Sequence, residues 1–169
     1  MNISRISQAN RIRIAGALVA AQFTFLGVLG LLGIGSVKSK PHTYVILELL
    51  LLLSGAVLIL LAARNLKPSL KINPIPKSNA PLISIGLYKY LRHPMYLALI
   101  LIGLGVVGYV DSFVAWTVEI LLILTLNLKA SFEDALILEI HPAAAHYQRH
   151  TSKLIPCLGS TCRDNCATP

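Results

Sequence analysis

The sequence is poor in charged residues, which make up 13 % of its 169 residues, and acidic residues are the scarcer kind, with 7 Asp and Glu against 15 Lys and Arg. Hydrophobic residues make up 55 %, and the mean hydropathy is +0.70. A soluble domain of this size needs more polar surface than such a composition supplies. The composition therefore predicts an integral membrane protein, and the length fits one membrane domain over residues 1–169.

The positions of the basic residues argue against nucleic-acid binding, and those of the cysteines argue against a zinc site. Lys and Arg flank apolar segments singly or in pairs and form no patch with interleaved aromatic side chains, so the net charge of +8 does not indicate nucleic-acid binding. The three cysteines lie within the last thirteen residues, are odd in number and lack the paired spacing of a zinc site. We expect no metal and a tail with free thiols, at Cys157, Cys162 and Cys166.

Four apolar runs indicate an all-α protein with about four transmembrane helices. The first two runs are long enough to cross a bilayer, whereas the third and fourth have about 16 residues each and are separated by Asp111 and Ser112. This pair predicts a tight helical hairpin. The predicted spans are 12–35, 43–63, 95–110 and 113–128.

Glycines recur in the first and third runs, at spacings that predict close packing of helices. The first run contains Gly27, Gly30, Gly33 and Gly35, and the third contains Gly103, Gly105 and Gly108.

The basic residues are distributed unequally between the two ends of these spans. With four spans, thirteen Lys and Arg residues fall on the side of the N-terminus, the connection 64–94 and the C-terminal helix and tail 129–169, whereas only Lys38 and Lys40 fall on the other side. Cytoplasmic flanks retain basic residues, so both termini are expected in the cytoplasm. The connection is long and rich in proline and lysine, and its 64–81 part is a candidate lid over a ligand.

Residues 82–96 place several polar side chains directly before the third apolar run. Pro94 suits the first turn of a helix, so His93 is the expected N-cap residue. Arg92 and His93 then lie at a positive helix end, which favours anions, with Tyr88 and Tyr96 on either side.

An acidic pair, Glu133 and Asp134, lies in a helical continuation of the fourth run that is interrupted at His141 and Pro142. In the four-span arrangement this pair emerges on the same side as Arg92 and His93. A zwitterionic ligand would satisfy both the cationic and the anionic cluster.

These two blocks together resemble the isoprenylcysteine carboxyl methyltransferase and phospholipid methyltransferase superfamily over roughly residues 64–156. The signature of that superfamily is glycine, any residue, tyrosine, three residues, then Arg-His-Pro-any-Tyr, and its second block is an acidic pair followed by a hydrophobic helix, tyrosine and a terminal Ile-Pro. The first block is matched by Gly86, Tyr88, Arg92, His93, Pro94 and Tyr96. The second is matched by Glu133, Asp134, Leu136, Leu138, Tyr147, Ile155 and Pro156.

The resemblance implies an integral membrane methyltransferase that binds S-adenosylmethionine in a pocket built by the C-terminal helices and loops. Its acceptor would be lipophilic: an isoprenylcysteine-like carboxylate, a phospholipid amine or another small molecule embedded among the membrane lipids. It implies Arg92 and Glu133 as catalytic residues. The cofactor-binding residues that it implies are Tyr88, Arg92, His93, Tyr96, Glu133, Asp134 and Tyr147.

Two other functions stay open at this point. An NADPH-dependent membrane reductase of related fold would need cations for a 2′-phosphate, and few basic residues beyond Arg92 are available. A non-enzymatic membrane scaffold would use the cytoplasmic connection to dock a partner.

Glu48 and Glu119 lie within apolar runs. An acid in such a run is either functional or, near a helix end, extends its carboxylate to the membrane surface.

Overall fold

A computed structural model describes residues 6–36, 42–66, 85–142 and 144–155, and these residues form an all-α bundle. The all-α membrane fold predicted from the sequence is confirmed. Much of the predicted connection 64–94, including most of the candidate lid, and the three cysteines lie outside the described residues. The helices are α1 (Gln8–Ile34), α2 (His42–Leu66), α3 (Pro94–Val110), α4 (Phe113–Ile140) and α5 (Ala144–His150), with a 3₁₀ turn at Gly86–Lys89.

The helix ends follow from their capping residues. Ser7 and Ser112 precede α1 and α4, and each hydroxyl accepts a hydrogen bond from a backbone N–H in the first turn. His93 occupies the N-cap position of α3 with Pro94 as the first helical residue, as predicted, but its side chain makes no capping bond. The imidazole is therefore available for contacts with other elements.

Helices α3 and α4 form the predicted tight hairpin, because only Asp111 and Ser112 separate them. Asp111 adopts a left-handed backbone conformation with φ of 48°, which ends α3 and reverses the chain. Helix α4 then runs without a break for 28 residues. It joins the predicted fourth span and the acidic segment after it into one rigid element, which carries Glu133 to the end of the bundle where α3 begins.

Close approach of α2 and α3 depends on glycine. A Cβ atom added to Gly55 would lie 2.6 Å from Ile102 Cγ1 and 2.8 Å from the Ala98 carbonyl oxygen. The predicted packing role also holds for the glycines of α3, since an added Cβ would meet a side chain of another helix at Gly103, Gly105 and Gly108.

The packing role predicted for the glycines of α1 is wrong for two of them. A Cβ at Gly27 or Gly30 would meet no described atom within 4 Å, and one at Gly33 would make an ordinary contact with Val106. The buried residues of α1 are Ala15, Gln22 and Leu29, which are seven residues apart and form one narrow stripe. Gly27 and Gly30 are outside that stripe.

Buried apolar residues in the described ranges include two clusters. The first lies toward the α3–α4 turn and contains Leu29, Val107, Val110, Ala115, Leu122 and Leu126. The second joins α1 to the last turns of α4 and contains Ala15, Phe132 and Leu136. The second cluster fixes the part of α4 that carries the acidic pair.

Within the described part of the chain, three helices are long and apolar enough to cross a membrane: Gln8–Ile34, Tyr44–Asn65 and Phe113–Ile140. Their outward residues are large and apolar; Leu53 of α2, for example, is 62 % exposed. Helix α3 is a shorter apolar helix of 17 residues, about 26 Å in length. The crossing of α3, which is the third predicted span (95–110), stays a prediction, and so does the total of four spans.

Candidate functional site

The candidate site lies where the start of α3, the last turns of α4, α5 and the 3₁₀ turn come together. Leu91 and Ser152 form an isolated parallel bridge. In this pairing the backbone N–H of Arg92 donates to the Ser152 carbonyl at 2.8 Å, and the N–H of His93 donates to the Lys153 carbonyl at 3.2 Å. The segment before α3 is therefore held by the chain that follows α5.

The cationic and anionic clusters predicted from the sequence meet in this region. His93 Nε2 lies 2.9 Å from Asp134 Oδ1, and His93 Nδ1 lies 3.5 Å from Glu133 Oε2. Arg92 Nη2 lies 3.5 Å from Asp134 Oδ2. His93 is 8 % exposed, so these polar groups interact in surroundings from which most water is excluded.

Tyr96 links the two clusters. Its hydroxyl donates to Glu133 Oε1 at 2.5 Å, and its ring stacks on the His93 ring with centroids 5.2 Å apart and planes 6° from parallel. His93 and Tyr96 are three residues apart at the start of a helix, which brings their side chains to one face.

Tyr88 and Tyr147 lie on the other flank of the site. The Tyr147 hydroxyl donates to the Tyr88 carbonyl at 2.5 Å, which joins α5 to the 3₁₀ turn. Burial raises the pKa of Tyr88 to about 12, with the neighbouring Tyr147 adding to the shift. Burial also raises the pKa of Tyr147 to about 12, against the opposing effect of Arg92. Both phenols are therefore neutral hydrogen-bond donors near pH 7.

The Arg92 guanidinium is only partly satisfied by the described residues. Its Nη1 donates to the Gln148 carbonyl at 3.1 Å, and its Nη2 faces Asp134. Its Nε is buried, and no described atom accepts a hydrogen bond from it. A buried N–H without an acceptor is costly, and a ligand carboxylate would supply the acceptor that this group lacks.

All seven residues implied by the resemblance are thus brought together in one cluster, although their roles in binding or catalysis stay predictions. The cluster can bind a carboxylate at Arg92, an ammonium or hydroxyl groups at Glu133 and Asp134, and a planar or cationic group on its aromatic rings. These are the chemical groups of an amino-acid nucleoside such as S-adenosylmethionine.

Sequence reasoning missed Lys129 and Gln22. Lys129 was assigned to the basic flank of the fourth span, but it is 4 % exposed, and its ammonium donates to Gln22 Oε1 of α1 at 2.7 Å. Its Nζ also lies 4.9 Å from the centre of the Tyr96 ring. The available signal was Gln22 itself, an amide near the middle of an otherwise apolar run, because such a group needs a polar partner.

The acids inside the apolar runs lie away from this cluster. Glu119 is 1 % exposed, and its carboxylate packs against Gly103 with no hydrogen-bond partner among the described residues. Glu48 lines a groove of about 650 Å³ with Asp111 and Trp116, near the other end of α3. Among the described residues, no three His, Cys, Asp or Glu side chains are grouped so as to hold a metal ion.

In a comparison with protein families, residues 46–137 match the model of the isoprenylcysteine carboxyl methyltransferase (ICMT) family. Neither the comparison with curated proteins nor that with solved structures found a match. The matched segment begins in α2 and ends in α4, so it contains the Arg92-His93 motif and the acidic pair, whereas α1 and α5 lie outside it.

Proposed function

The chain belongs to the isoprenylcysteine carboxyl methyltransferase family, whose model covers more than half of it, and on that premise we propose that this membrane methyltransferase transfers a methyl group from S-adenosylmethionine to a lipophilic acceptor. The observation that carries the proposal is the buried cluster at the start of α3. There Arg92, whose Nε–H has no acceptor among the described residues, lies beside Asp134, and Glu133 accepts a hydrogen bond from Tyr96.

The residues of the cluster fit the groups of the cofactor one by one. Arg92 would bind the carboxylate through the donor that no described residue uses. Glu133 and Asp134 would bind the ammonium or the ribose hydroxyls. The ring of Tyr147, whose hydroxyl donates to the Tyr88 carbonyl, would face the adenine. The His93 ring, which stacks on Tyr96, offers a flat surface for the adenine.

When bound, S-adenosylmethionine supplies an electrophilic methyl group for an in-line displacement. The contribution of this chain is therefore to position the reactants and to exclude water. Arg92, just before α3, and Glu133, on α4, would orient the donor, so the distance between them is set by the packing of α3 on α4. A carboxylate acceptor is already ionised near pH 7 and needs no base, whereas for an amine acceptor His93 is within the cluster and can take the proton.

The lipophilic part of the acceptor would be accommodated by the apolar surfaces of the helices. The large apolar residues of α2 face outward, and the cluster lies at the bundle end where α3 begins. An acceptor could approach from the lipid with its reactive group at the level of the cluster and its apolar chain along the helices.

Calorimetric titration of the detergent-purified full chain with S-adenosylmethionine, S-adenosylhomocysteine and NADPH tests the proposal. We expect binding of both adenosyl compounds and its loss in Arg92→Ala and Glu133→Gln. Arg149→Ala, which removes an exposed guanidinium from α5, is the matched control and should bind as the wild type does. Unchanged affinity in both site variants would contradict the proposal, and binding of NADPH alone would favour the reductase.

A further inference from the structure

Lys129 has a buried ammonium one helical turn away from the acidic pair. It lies on α4 one turn before Glu133, so the two side chains project from the same side of the helix. Gln22 of α1 accepts a hydrogen bond from the ammonium at 2.7 Å, and both side chains are more than nine-tenths buried. A buried lysine of this kind needs both a hydrogen-bond partner and a nearby negative charge.

The negative charge is that of Glu133, which Lys129 reaches across the Tyr96 ring. The ammonium lies on the face of the ring, 4.9 Å from its centre, while the hydroxyl of the same ring donates to Glu133 Oε1 at 2.5 Å. A cation on the ring face strengthens the phenol as a donor and attracts the carboxylate beyond it. A continuous series of contacts therefore runs from Gln22 of α1 through Lys129 and Tyr96 to Glu133 in the candidate cofactor site.

Four other groups face Glu133. They are His93 and Tyr96 from the start of α3, Tyr88 from the 3₁₀ turn, and Asp134 on α4 itself. The His93 imidazole contacts both acids, with Nε2 at 2.9 Å from Asp134 Oδ1 and Nδ1 at 3.5 Å from Glu133 Oε2. Arg92 faces Asp134 as well. Burial raises the pKa of Glu133, and His93 and Lys129 both oppose that shift, so Lys129 shares with His93 the stabilisation of the carboxylate.

We infer that Lys129, held by Gln22 of α1, is a positioning residue of the methyl-transfer site, which helps to keep Glu133 ionised and fixes the Tyr96 ring against it. The inference rests on the proposed function for its catalytic meaning. It also gives α1 a part in the site, because Gln22 lies outside the segment that matches the family model. A purely structural lysine would affect the stability of the bundle but not the ionisation of Glu133.

The first test needs no cofactor. Infrared difference spectroscopy detects the carbonyl band of a protonated carboxylic acid. We expect Lys129→Met at neutral pH to gain such a band, which disappears when Glu133→Gln is added and so is separated from any band of Glu119. Lys129→Arg, which keeps the charge, should show no gain, and Gln22→Leu should show a smaller gain than Lys129→Met. If Lys129→Met and Gln22→Leu both fold and neither gains the band, the inference is wrong.

The second test is the affinity for S-adenosylmethionine as a function of pH. We expect Lys129→Met to bind about tenfold or more weakly at pH 7 and to recover as the pH rises and Glu133 ionises, since a tenfold loss equals a shift of about one pH unit. Lys129→Arg should retain most of the affinity.

Lys89→Met is the matched control, because Lys89 also lies over a tyrosine ring, that of Tyr90, but both residues are exposed. If Lys129→Met loses affinity for S-adenosylmethionine by a factor that does not change with pH, Lys129 has a structural role only and the inference is wrong. If the wild type binds no S-adenosylmethionine, the proposed function fails, while the infrared experiment still decides the role of Lys129.

Discussion

The hydroxyl of Tyr96 is the most direct link between α3 and the carboxylate of Glu133. It donates to that carboxylate at 2.5 Å, and bonds to charged groups are stronger than those between neutral groups. Removing this donor should therefore loosen Glu133 without emptying the space that the ring fills.

Tyr96→Phe should weaken binding of S-adenosylmethionine by about 10- to 100-fold, which corresponds to about 1.5–3 kcal/mol for a hydrogen bond to a charged group. Calorimetry on the purified variant measures the change. Tyr90→Phe removes a hydroxyl from an exposed tyrosine close by in the chain and is expected to have no effect. Equal affinities in wild type and Tyr96→Phe would mean that Glu133 does not contact the cofactor in the proposed way.

Tyr88 and Tyr147 predict a loss of stability in alkaline solution. Burial raises the pKa of each to about 12, whereas tyrosines of the unfolded chain titrate near 10. The folded state therefore binds more protons between these two values, so the stabilisation is complete below about pH 10 and is lost as the pH rises toward 12. Thermal unfolding from pH 9 to 12 should show a falling midpoint, and the fall should be shallower in Tyr147→Phe. An equally steep fall in that variant would assign the alkaline transition to other groups.

At the scale of helices, the α2–α3 interface should be the least tolerant of added volume. Gly55→Ala should destabilise the protein by about 1–3 kcal/mol, the usual range for overpacking, because the new methyl would lie 2.8 Å from a backbone oxygen that cannot move freely. Gly27→Ala is the matched control, since an added Cβ there meets no described atom within 4 Å. It should be neutral or stabilising by up to about 1 kcal/mol. Unfolding in mixed detergent micelles measures both, and equal midpoints would contradict the close approach of α2 and α3.

The helices also show which features of the fold can be predicted from the sequence and which cannot. The α3–α4 hairpin and the cap at His93 and Pro94 depend on residues adjacent in the chain, and they were predicted. The contact of Arg92 and His93 with Glu133 and Asp134 was also predicted, because the span count placed both pairs on one side. The packing face of α1 was not predictable in the same way, since it depends on which stripe meets α4, and glycine spacing alone favoured the wrong stripe.

Lys129 shows a second limit of prediction from the sequence, which is that the partner of a buried residue can be distant in the chain. A lysine after an apolar run usually flanks the membrane-spanning helix and extends its ammonium to the membrane surface. The sequence predicts this arrangement for Lys129. The position is buried because α4 continues past it and because Gln22, more than a hundred residues earlier in the chain, provides an acceptor. A partner at that separation cannot be identified from spacing within one chain.

For the whole molecule, the distribution of basic residues predicts that α1 begins on the cytoplasmic side and that the α3–α4 turn lies on the opposite side. Single cysteines introduced at Ala9 and at Phe113, which is 87 % exposed, test this in a variant whose three native cysteines are replaced by serine. In sealed vesicles of known orientation, an impermeant thiol reagent should label the two positions from opposite sides. Labelling of both from one side would contradict the four-span topology, and with it the crossing of α3.

The bridge between Leu91 and Ser152 also sets an order of events during synthesis. The apolar helices can enter the membrane one after another as they leave the ribosome, but the segment before α3 has no backbone partner at Ser152 until translation has passed that residue. The candidate site can therefore be completed only after every apolar helix has been made. A nascent chain that stalls after α4 would be inserted in the membrane yet unable to form the site.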